Sequence, residues 1–435
     1  MDMKLVKQIM IGALGFSLAV PSGLFAEQPT TEQLLETIKK LEERVAELES
    51  KSGKTADSPA ESTSKSEAPA VTAEIKKEVG EIKKESEENA PILNFFKSTQ
   101  VSGFVDGYYG FSTNRPSDQA VQLRGLTTNH NSFQFNLAKL AFNRATNGPN
   151  SLGYRVDLVY GPAADSYHSY EPVSGQQGII KNIQQAYLSY VAPVGSGLTV
   201  DVGKFATFIG AEALDTIDNW NYQQGMLFSY AQPYYHTGLR ATYAASDKVG
   251  LGFYLVNGWN NSFDNNTGKS IGFSFSLTPN SKFQIIQNYL GGPEISGTND
   301  PWRHLFDTVV NATINENVAL KFNYDYGFDN YATGKTKWQG VAASIRFSSS
   351  SGKVAFAPRF EYLADNQGFA TGAAQRVKGL TLTNEYRLRP NFSTKLEYRY
   401  DFSTEPYFVK RIDDFVKDQH VFMVGLVYAF GFGKE

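Results

Sequence analysis

The stretch that decides the fold runs from Val377 to Phe402 and reads VKGLTLTNEYRLRPNFSTKLEYRYDF. Apolar and polar residues alternate in both halves, which is the two-residue period of a β-strand. The tripeptide Arg389-Pro390-Asn391 separates the halves and is typical of a tight turn. The sequence therefore predicts a hairpin of two strands, each about ten residues long, with an apolar face and a charged face. The apolar face carries Leu380, Leu382, Tyr386, Leu388, Phe392, Leu396, Tyr398, Tyr400 and Phe402, and the other face carries Thr381, Thr383, Glu385, Arg387, Ser393, Lys395, Glu397, Arg399 and Asp401.

Two environments fit such a hairpin. In a soluble sandwich, the apolar face packs on a second sheet, and strands average about five or six residues. In an outer-membrane barrel, the apolar face meets lipid, the charged face lines an aqueous lumen, and strands need about nine to eleven residues. The sandwich is the commoner class for one hairpin considered alone, so the rest of the chain has to decide.

The composition favours strands and excludes several kinds of site. The 435 residues are 14% aromatic, contain no cysteine and carry a formal net charge of -3. Abundant aromatic residues suit amphipathic strands, and the lack of cysteine excludes disulfides, thiolate metal sites and iron–sulfur clusters. The histidines are scattered without the spacing of a metal site, and no strongly basic patch indicates nucleic acid. We therefore expect no catalytic residue, cofactor, metal or nucleic-acid partner.

The N-terminus predicts export from the cytoplasm. Lys4 and Lys7 precede an apolar run over 9–20, and Ala26 ends a short segment suited to cleavage, so 1–26 reads as a signal peptide. No later stretch approaches about eighteen consecutive apolar residues, the length of a spanning helix. An exported chain of this kind is periplasmic, secreted or an outer-membrane barrel.

The segment between the signal peptide and the first strand has three predicted parts. They are a coiled-coil helix over 27–52, a flexible linker over 53–70 and a second helical segment over 71–97. The coiled coil is expected to join copies of the chain, with a trimer as the expected oligomer. A solvated helix with one apolar stripe is the alternative, because so short a coiled coil is marginally stable. The predicted seam consists of Leu34, Ile38, Leu41, Val45 and Leu48.

Residues 98–435 read as an all-β, antiparallel up-and-down barrel of about sixteen strands. Short polar turns tend to alternate with longer loops, as periplasmic turns and extracellular loops do in outer-membrane barrels, and a sandwich has no reason to show this trend. An even strand number returns the C-terminus to the periplasmic side, where the N-terminal helices are also expected. The alternation of side chains slips at Lys139-Leu140, which indicates a bulge or a contact with a neighbouring copy. The predicted strands are 98–111, 131–144, 151–161, 179–191, 197–205, 234–245, 248–257, 269–278, 281–290, 302–314, 317–328, 336–347, 353–364, 377–388, 391–402 and 419–432.

Several stretches in the first half of this region resemble a known family. They are VSGFVDGYY at 101–109 ahead of NRP at 114–116, GKFATFIGAE at 203–212, PYYHTG at 233–238 and NGW at 257–259. These stretches resemble the OmpL-like family of bacterial β-barrel porins, and the likeness covers most of 98–266. The resemblance implies an outer-membrane channel, and it names neither a solute nor a catalytic residue.

The longest predicted connection, 206–233, carries the candidate site. Sixteen strands enclose a lumen too wide for wall side chains to fill. By analogy with general porins, we expect this loop to fold inward as a constriction, with Glu212, Asp215 and Asp218 facing wall arginines. An acidic loop opposite a basic wall creates a transverse field that favours small hydrophilic solutes. The alternative is that these are solvated charges paired across strands. The expected wall arginines are Arg155, Arg240, Arg346, Arg359, Arg387 and Arg399.

The sequence leads to one preferred function and one alternative. The preferred function is an outer-membrane porin for passive diffusion of small hydrophilic solutes and ions, surrounded by outer-membrane lipid, with peptidoglycan as a candidate contact of the N-terminal helices. The alternative is a non-conducting structural or adhesion barrel that tethers the outer membrane to the cell wall or to partners. An enzyme is not expected, because no nucleophile, base and orienting acid are placed together.

Overall fold

The computed structural model describes residue 84 and residues 95–169, 171, 175–331, 334–412 and 414–432. The chain divides into two compact units, 1–93 and 94–435, and the strands described below belong to the second. The expected signal peptide, coiled coil and linker lie outside the described residues, and so does most of the expected second helical segment.

Sixteen antiparallel strands close into a barrel without a free edge. All the neighbours in the ring are consecutive along the chain, except that the first strand pairs with the last. The sequence prediction of about sixteen strands is therefore confirmed, and each predicted strand overlaps one observed strand. The barrel strands are β1 Gln100–Ser112, β2 Ser132–Arg144, β3 Leu152–Tyr160, β4 Ile183–Ala192, β5 Leu198–Ala206, β6 Tyr235–Ser246, β7 Val249–Val256, β8 Ser270–Asn280, β9 Phe283–Pro293, β10 Trp302–Asn315, β11 Val318–Tyr331, β12 Gly334–Ser348, β13 Val354–Asp365, β14 Gln375–Arg389, β15 Phe392–Ser403 and β18 Asp418–Phe432.

Short elements also occur in the connections between strands. They are α1 Pro162–Tyr167, a 3-10 helix over Gly175–Asn182, a π-helical turn over Leu227–Ala231, and a hairpin of β16 Phe408–Lys410 with β17 Asp414–Val416. Among the described residues, no helix combines the length and the apolar character needed to cross a membrane.

The deciding hairpin shows how the sequence divides the inside from the outside. β14 and β15 pair as the predicted hairpin, with Leu382 opposite Tyr398 and Thr383 opposite Glu397. Leu380 is 38% exposed, whereas Thr381 beside it is fully buried. The large apolar side chains therefore cover the outer face, and the polar ones point into the barrel. This arrangement is the reverse of a soluble protein and matches a wall placed in lipid.

A bulge in β2 changes the side-chain alternation three residues before the expected position. Asp106 pairs with Leu137 and Gly107 pairs with Phe135, so Asn136 is the extra residue. The bulge expected at Lys139-Leu140 therefore lies at Asn136 instead. It turns Lys139 into the barrel, where the residue is 6% exposed, and not toward a neighbouring copy. The sequence showed the change of phase but not the residue that causes it.

The connections at the two rims of the barrel differ in length. One rim has short turns throughout, and the other has mostly long loops, with only two residues between β11 and β12. We call them the short-turn rim and the long-loop rim. The short turns are 145–151, 193–197, 247–248, 281–282, 316–317, 349–353 and 390–391, and the other connections are 113–131, 161–182, 207–234, 257–269, 294–301, 332–333, 366–374 and 404–417.

Candidate pore constriction

The connection between β5 and β6, residues 207–234, crosses the lumen. The backbone N–H of Gly210 donates a hydrogen bond to Asp307 on β10 at 3.2 Å. Five residues later, Asp215 accepts a hydrogen bond at 2.5 Å from Lys139 on β2. Strands β10 and β2 lie eight steps apart in the ring of sixteen, and are therefore opposite each other. The acidic part of the loop thus spans the barrel from wall to wall, and we call 207–234 the crossing loop.

Arg359 on β13 fixes the crossing loop through a buried ionic cluster. Its guanidinium lies 2.5 Å from Glu212 of the loop and 3.0 Å from Glu361 of its own strand. It also donates to the backbone carbonyl of Gln223, at 3.0 Å. Glu361 in turn accepts the backbone N–H of Met226 at 2.6 Å. One buried cation therefore satisfies two carboxylates and joins two separate turns of the loop to the wall.

Strand β15 fixes the middle of the crossing loop. Glu397 accepts the backbone N–H groups of Tyr222 at 2.8 Å and of Gln223 at 3.3 Å. Lys395 Nζ donates to the backbone carbonyls of Thr216 at 2.8 Å and of Asn219 at 2.6 Å. Backbone groups inside a protein need such partners because water cannot reach them. The wall therefore supplies the hydrogen bonds that this non-helical segment cannot make internally.

Gly425 on β18 allows the loop to lie against the wall. A Cβ atom placed at Gly425 would be 2.2 Å from the ring of Tyr222. Any larger residue would push this buried tyrosine away. The small residues on the inner face of the terminal strand thus leave room for the crossing loop.

Apolar contacts complete the attachment near the long-loop rim. Met226 and Leu227 are buried in a cluster that includes Tyr254, Trp338 and Leu363 from the wall. The indole N–H of Trp338 donates to the backbone carbonyl of Ala231 at 3.0 Å. The interior is therefore packed around the end of the loop and is not uniformly aqueous.

The structure brings two of the three predicted loop acids to buried cations. Glu212 meets the predicted Arg359, but Asp215 meets Lys139, which the sequence did not single out. Lys139 also lies 2.8 Å from Asp157 and so connects β2, β3 and the loop. Asp218 is exposed to solvent within the barrel.

The other predicted arginines pair with carboxylates of the wall. Arg155 lies 2.9 Å from Asp157, Arg240 lies 2.6 Å from Asp201, and Arg346 lies 2.6 Å from Glu385. Arg399 lies 2.7 Å from Asp401, and Arg387 lies 3.9 Å from Glu385.

Solvent access separates these arginines into groups. The side chains of Arg155, Arg240 and Arg346 are 34%, 22% and 18% exposed, whereas those of Arg359 and Arg399 are 1% exposed. The first three are therefore accessible from the open part of the lumen. Arg359 and Arg399 can only hold structure, and Arg387 lies near the short-turn rim.

Asp218 combines solvent access with an unusual electrostatic setting. Partial burial among the surrounding side chains, followed by repulsion from nearby Asp215, raises the pKa of Asp218. Lys139, Arg155 and Lys395 oppose that shift. Ile217 beside it is 47% exposed, so this edge of the loop faces open space.

Two further features extend the open side of the lumen. Lys321 on β11 places its ammonium 5.0 Å from the centre of the Trp220 ring on the crossing loop. A cavity of about 370 Å³ opens at the short-turn rim, where its lining includes Asp201, Arg240 and Thr242. Among the described residues, no group of three or more histidine, aspartate or glutamate side chains is placed to hold a metal ion.

Several residues that hold the crossing loop were not predicted as site residues. They include Asp307, which also accepts a hydrogen bond from Asn323 at 2.6 Å, and Asp106, which accepts one from Thr216 at 2.7 Å. The sequence indicated only that these residues lie on the inner face of the barrel, because polar and apolar residues alternate along each strand. That signal identifies lumen residues but does not show which of them the loop reaches.

The residues that form the barrel match a known protein family. The family model described as "Putative beta-barrel porin-2, OmpL-like" matches residues 98–430. The chain belongs to this OmpL-like porin family. No curated protein matches the sequence.

Solved structures similar to this OmpL-like porin are outer-membrane barrels at low sequence identity. OmpF of Salmonella typhi, solved with daunomycin, has a TM-score of 0.53 at 14% identity and covers 78% of this chain and 99% of its own. The outer membrane channel DcaP of Acinetobacter baumannii has a TM-score of 0.52 at 11% identity, with 76% and 97% covered. The trimer form of OmpT of Vibrio cholerae has a TM-score of 0.50 at 13% identity, with 76% and 99% covered. These likenesses show the fold.

Proposed function

We propose that this OmpL-like porin forms a water-filled channel for the passive diffusion of small hydrophilic solutes and ions. The observation that carries the proposal is that solvent-accessible charges of opposite sign lie on the crossing loop and on the wall. Asp218 of the crossing loop is exposed, and Arg155, Arg240 and Arg346 of the wall are partly exposed. We infer that these side chains border the path of the solute. Opposite charges on the two sides orient polar solutes and water and disfavour apolar ones.

The difference in exposure between the two groups of arginines supports a fixed constriction. Arg359 and Arg399 are buried and immobilised by carboxylates, so the loop keeps its position while solute passes. Wall carboxylates accompany the accessible arginines, and both signs of charge therefore line the path. We infer weak ion preference, set by the exposed groups and not by the larger number of buried ones.

The test is a recording from the refolded full-length protein in planar bilayers. The expected result is stepwise conductance that rises with salt concentration. A folded, heat-modifiable barrel that inserts but never conducts would contradict the proposal. Reversal potentials in asymmetric salt give the ion preference in the same recording.

A non-conducting structural or adhesion barrel is the second candidate. The extensive burial of the crossing loop favours it, since Tyr222, Gln223 and Met226 are at most 1% exposed and packed against the wall. In that case the full-length protein does not conduct, and removing the crossing loop opens a channel. The two candidate functions therefore predict different currents for the wild-type protein, and both predict a current for the protein without the crossing loop.

The N-terminal region completes the proposal. The helices before the barrel are proposed to lie in the periplasm, where the seam from Leu34 to Leu48 joins three copies and peptidoglycan is a candidate contact. OmpT of Vibrio cholerae, which shares the barrel fold, has been solved in a trimer form. Cross-linking of the intact protein in native membranes tests the oligomer, and a pull-down with purified peptidoglycan tests the contact.

A further inference from the structure

Four cations form a patch on the outer face of the barrel at the long-loop rim. Lys335 and Lys337 lie on β12, and Arg376 and Lys378 lie on β14; all four are exposed. The residue after Lys337 is Trp338, which is buried inside the barrel, so the side chains on either side of it point outward. The same holds for Arg376 and Lys378, which flank the fully buried Val377. We call these four residues the rim patch.

The rim patch lies directly above the apolar belt of the barrel. On β14, Leu380 is the next outward residue after Lys378, and the belt continues to Leu388 near the short-turn rim. At about 3.4 Å per residue and a tilt of roughly 40°, this stretch covers about 20–25 Å of height, close to the apolar thickness of an outer-membrane barrel. Lys378 and Arg376 are therefore placed at the level of lipid headgroups.

The register brings the two strands of the patch close together. Gln339 on β12 pairs with Ala364 on β13, and Ala364 pairs with Arg376 on β14. Gln339 is therefore level with Arg376, two strands away. Lys337 is the next outward-facing residue of β12 toward the long-loop rim. Two strand spacings amount to about 10 Å, a gap that lysine and arginine side chains can close by leaning toward a shared group.

The positive charge of the patch is not neutralised locally. Among the described residues, no ion pair includes any of its four members. Lys335 instead lies 3.4 Å from the centre of the Phe328 ring, and Arg376 donates to Asn366 at 3.0 Å. Asp418 lies level with Lys378 two strands away, but it faces His420 at 3.5 Å.

The positive charge of the rim patch and its position next to the apolar belt indicate what kind of ligand it binds. We propose that the rim patch binds a phosphate-bearing lipid of the outer leaflet, with phosphates on the four cations and acyl chains along the belt below Lys378. A soluble anion would use the cations alone, whereas a lipid also uses the adjoining apolar surface. Clustered cations at a membrane surface attract anionic headgroups in this way.

The test measures lipid binding to the full-length protein by native mass spectrometry in detergent, with diphosphoryl lipid A as the probe. The variant K335Q/K337Q/R376Q/K378Q removes the patch. The matched control K248Q/K282Q/K353Q/R389Q removes the same charge from four exposed positions at the short-turn rim. We expect the patch variant to bind lipid A at least about tenfold more weakly and the control to bind like the wild type.

Three outcomes would overturn the proposal. They are equal binding by the patch variant and the wild type, equal binding of lipid A stripped of its phosphates, and displacement of lipid A by millimolar inorganic phosphate. The second would assign binding to apolar contact alone, and the third would assign it to a free anion. Heat-dependent mobility in SDS gels confirms that each variant forms its barrel. The binding assay needs no current, so its failure and a failure to conduct are separate results.

Discussion

Arg359 has the most connections of the residues that hold the crossing loop. Its contacts with Glu361 and the carbonyl of Gln223 are buried, and its contact with Glu212 is partly buried. Removing one member of such a cluster leaves the others without compensation in a medium that solvates charge poorly. The cost falls on the attachment of the loop as well as on the barrel.

We expect Arg359→Met to lower the free energy of unfolding by about 3–5 kcal/mol and to make the single-channel current larger and noisier. Tryptophan fluorescence during urea unfolding in lipid vesicles measures the first effect. The matched control is Arg387→Met, which removes a half-exposed arginine 3.9 Å from Glu385 and is expected to cost about 0.5 kcal/mol or less. Equal effects of the two substitutions on the free energy of unfolding and on the current would show that Arg359 does not hold the crossing loop to the wall.

Asp218 gives the channel a predicted pH dependence. Because its pKa is raised, this carboxylate takes up a proton at a higher pH than an ordinary aspartate. Acidification then removes the negative charge from the loop side of the path while the arginines stay charged. We expect the reversal potential to move toward anion preference as the pH falls, starting above the usual titration range of aspartate.

Asp218→Asn should show that anion preference already at neutral pH and lose most of the pH dependence. Asp118→Asn serves as the control, since Asp118 is an exposed acid in the loop after β1. A wild-type reversal potential that is constant from neutral to mildly acidic pH would contradict the assignment of Asp218 to the path.

The crossing loop is the element on which the proposed channel depends. Replacing 211–231 by a short glycine-serine linker removes the segment that spans from β10 to β2. The expected result is a conductance several times that of the wild type and weaker dependence on solute size. Replacing the exposed residues 296–299 of the loop after β9 is the control and should leave the conductance unchanged. An unchanged current without the crossing loop would place the narrowest point elsewhere.

The strands could be predicted from sequence because their pattern is local. Leu396, Tyr398 and Tyr400 alternate with Glu397 and Arg399 whatever the rest of the chain does, and a two-residue turn fixes their register with β14. The bulge at Asn136 was harder to locate because an extra residue changes the phase without a signature of its own.

The attachment of the loop could be predicted only in part. Glu212 and Arg359 were each singled out as charges, and their contact follows from closure of the ring. Asp215 finds Lys139 because the bulge in β2 turns that lysine inward. Such contacts join residues far apart in sequence, and the alternating pattern carries no information about which loop atom reaches which wall residue.

At the scale of the whole molecule, a closed barrel needs no second chain to satisfy its strand edges. The first and last strands pair over twelve residues, from Val101 with Phe432 to Ser112 with Val421. The apolar outer face meets its partner in lipid, so the barrel is expected to fold without the region before it. The role of that region is therefore separable from conduction.

Deleting 27–97 while keeping the signal peptide tests this separation. We expect the truncated chain to reach the outer membrane, to show heat-dependent mobility and to conduct in the same steps as the wild type. The proposed trimer, in contrast, should dissociate at a lower detergent concentration, since the proposed seam from Leu34 to Leu48 is gone. A matched full-length chain with Leu41→Asn and Leu48→Asn should behave like the truncation if the seam alone holds the copies together. Trimers of undiminished stability in both chains would move the contact between copies to the barrel wall.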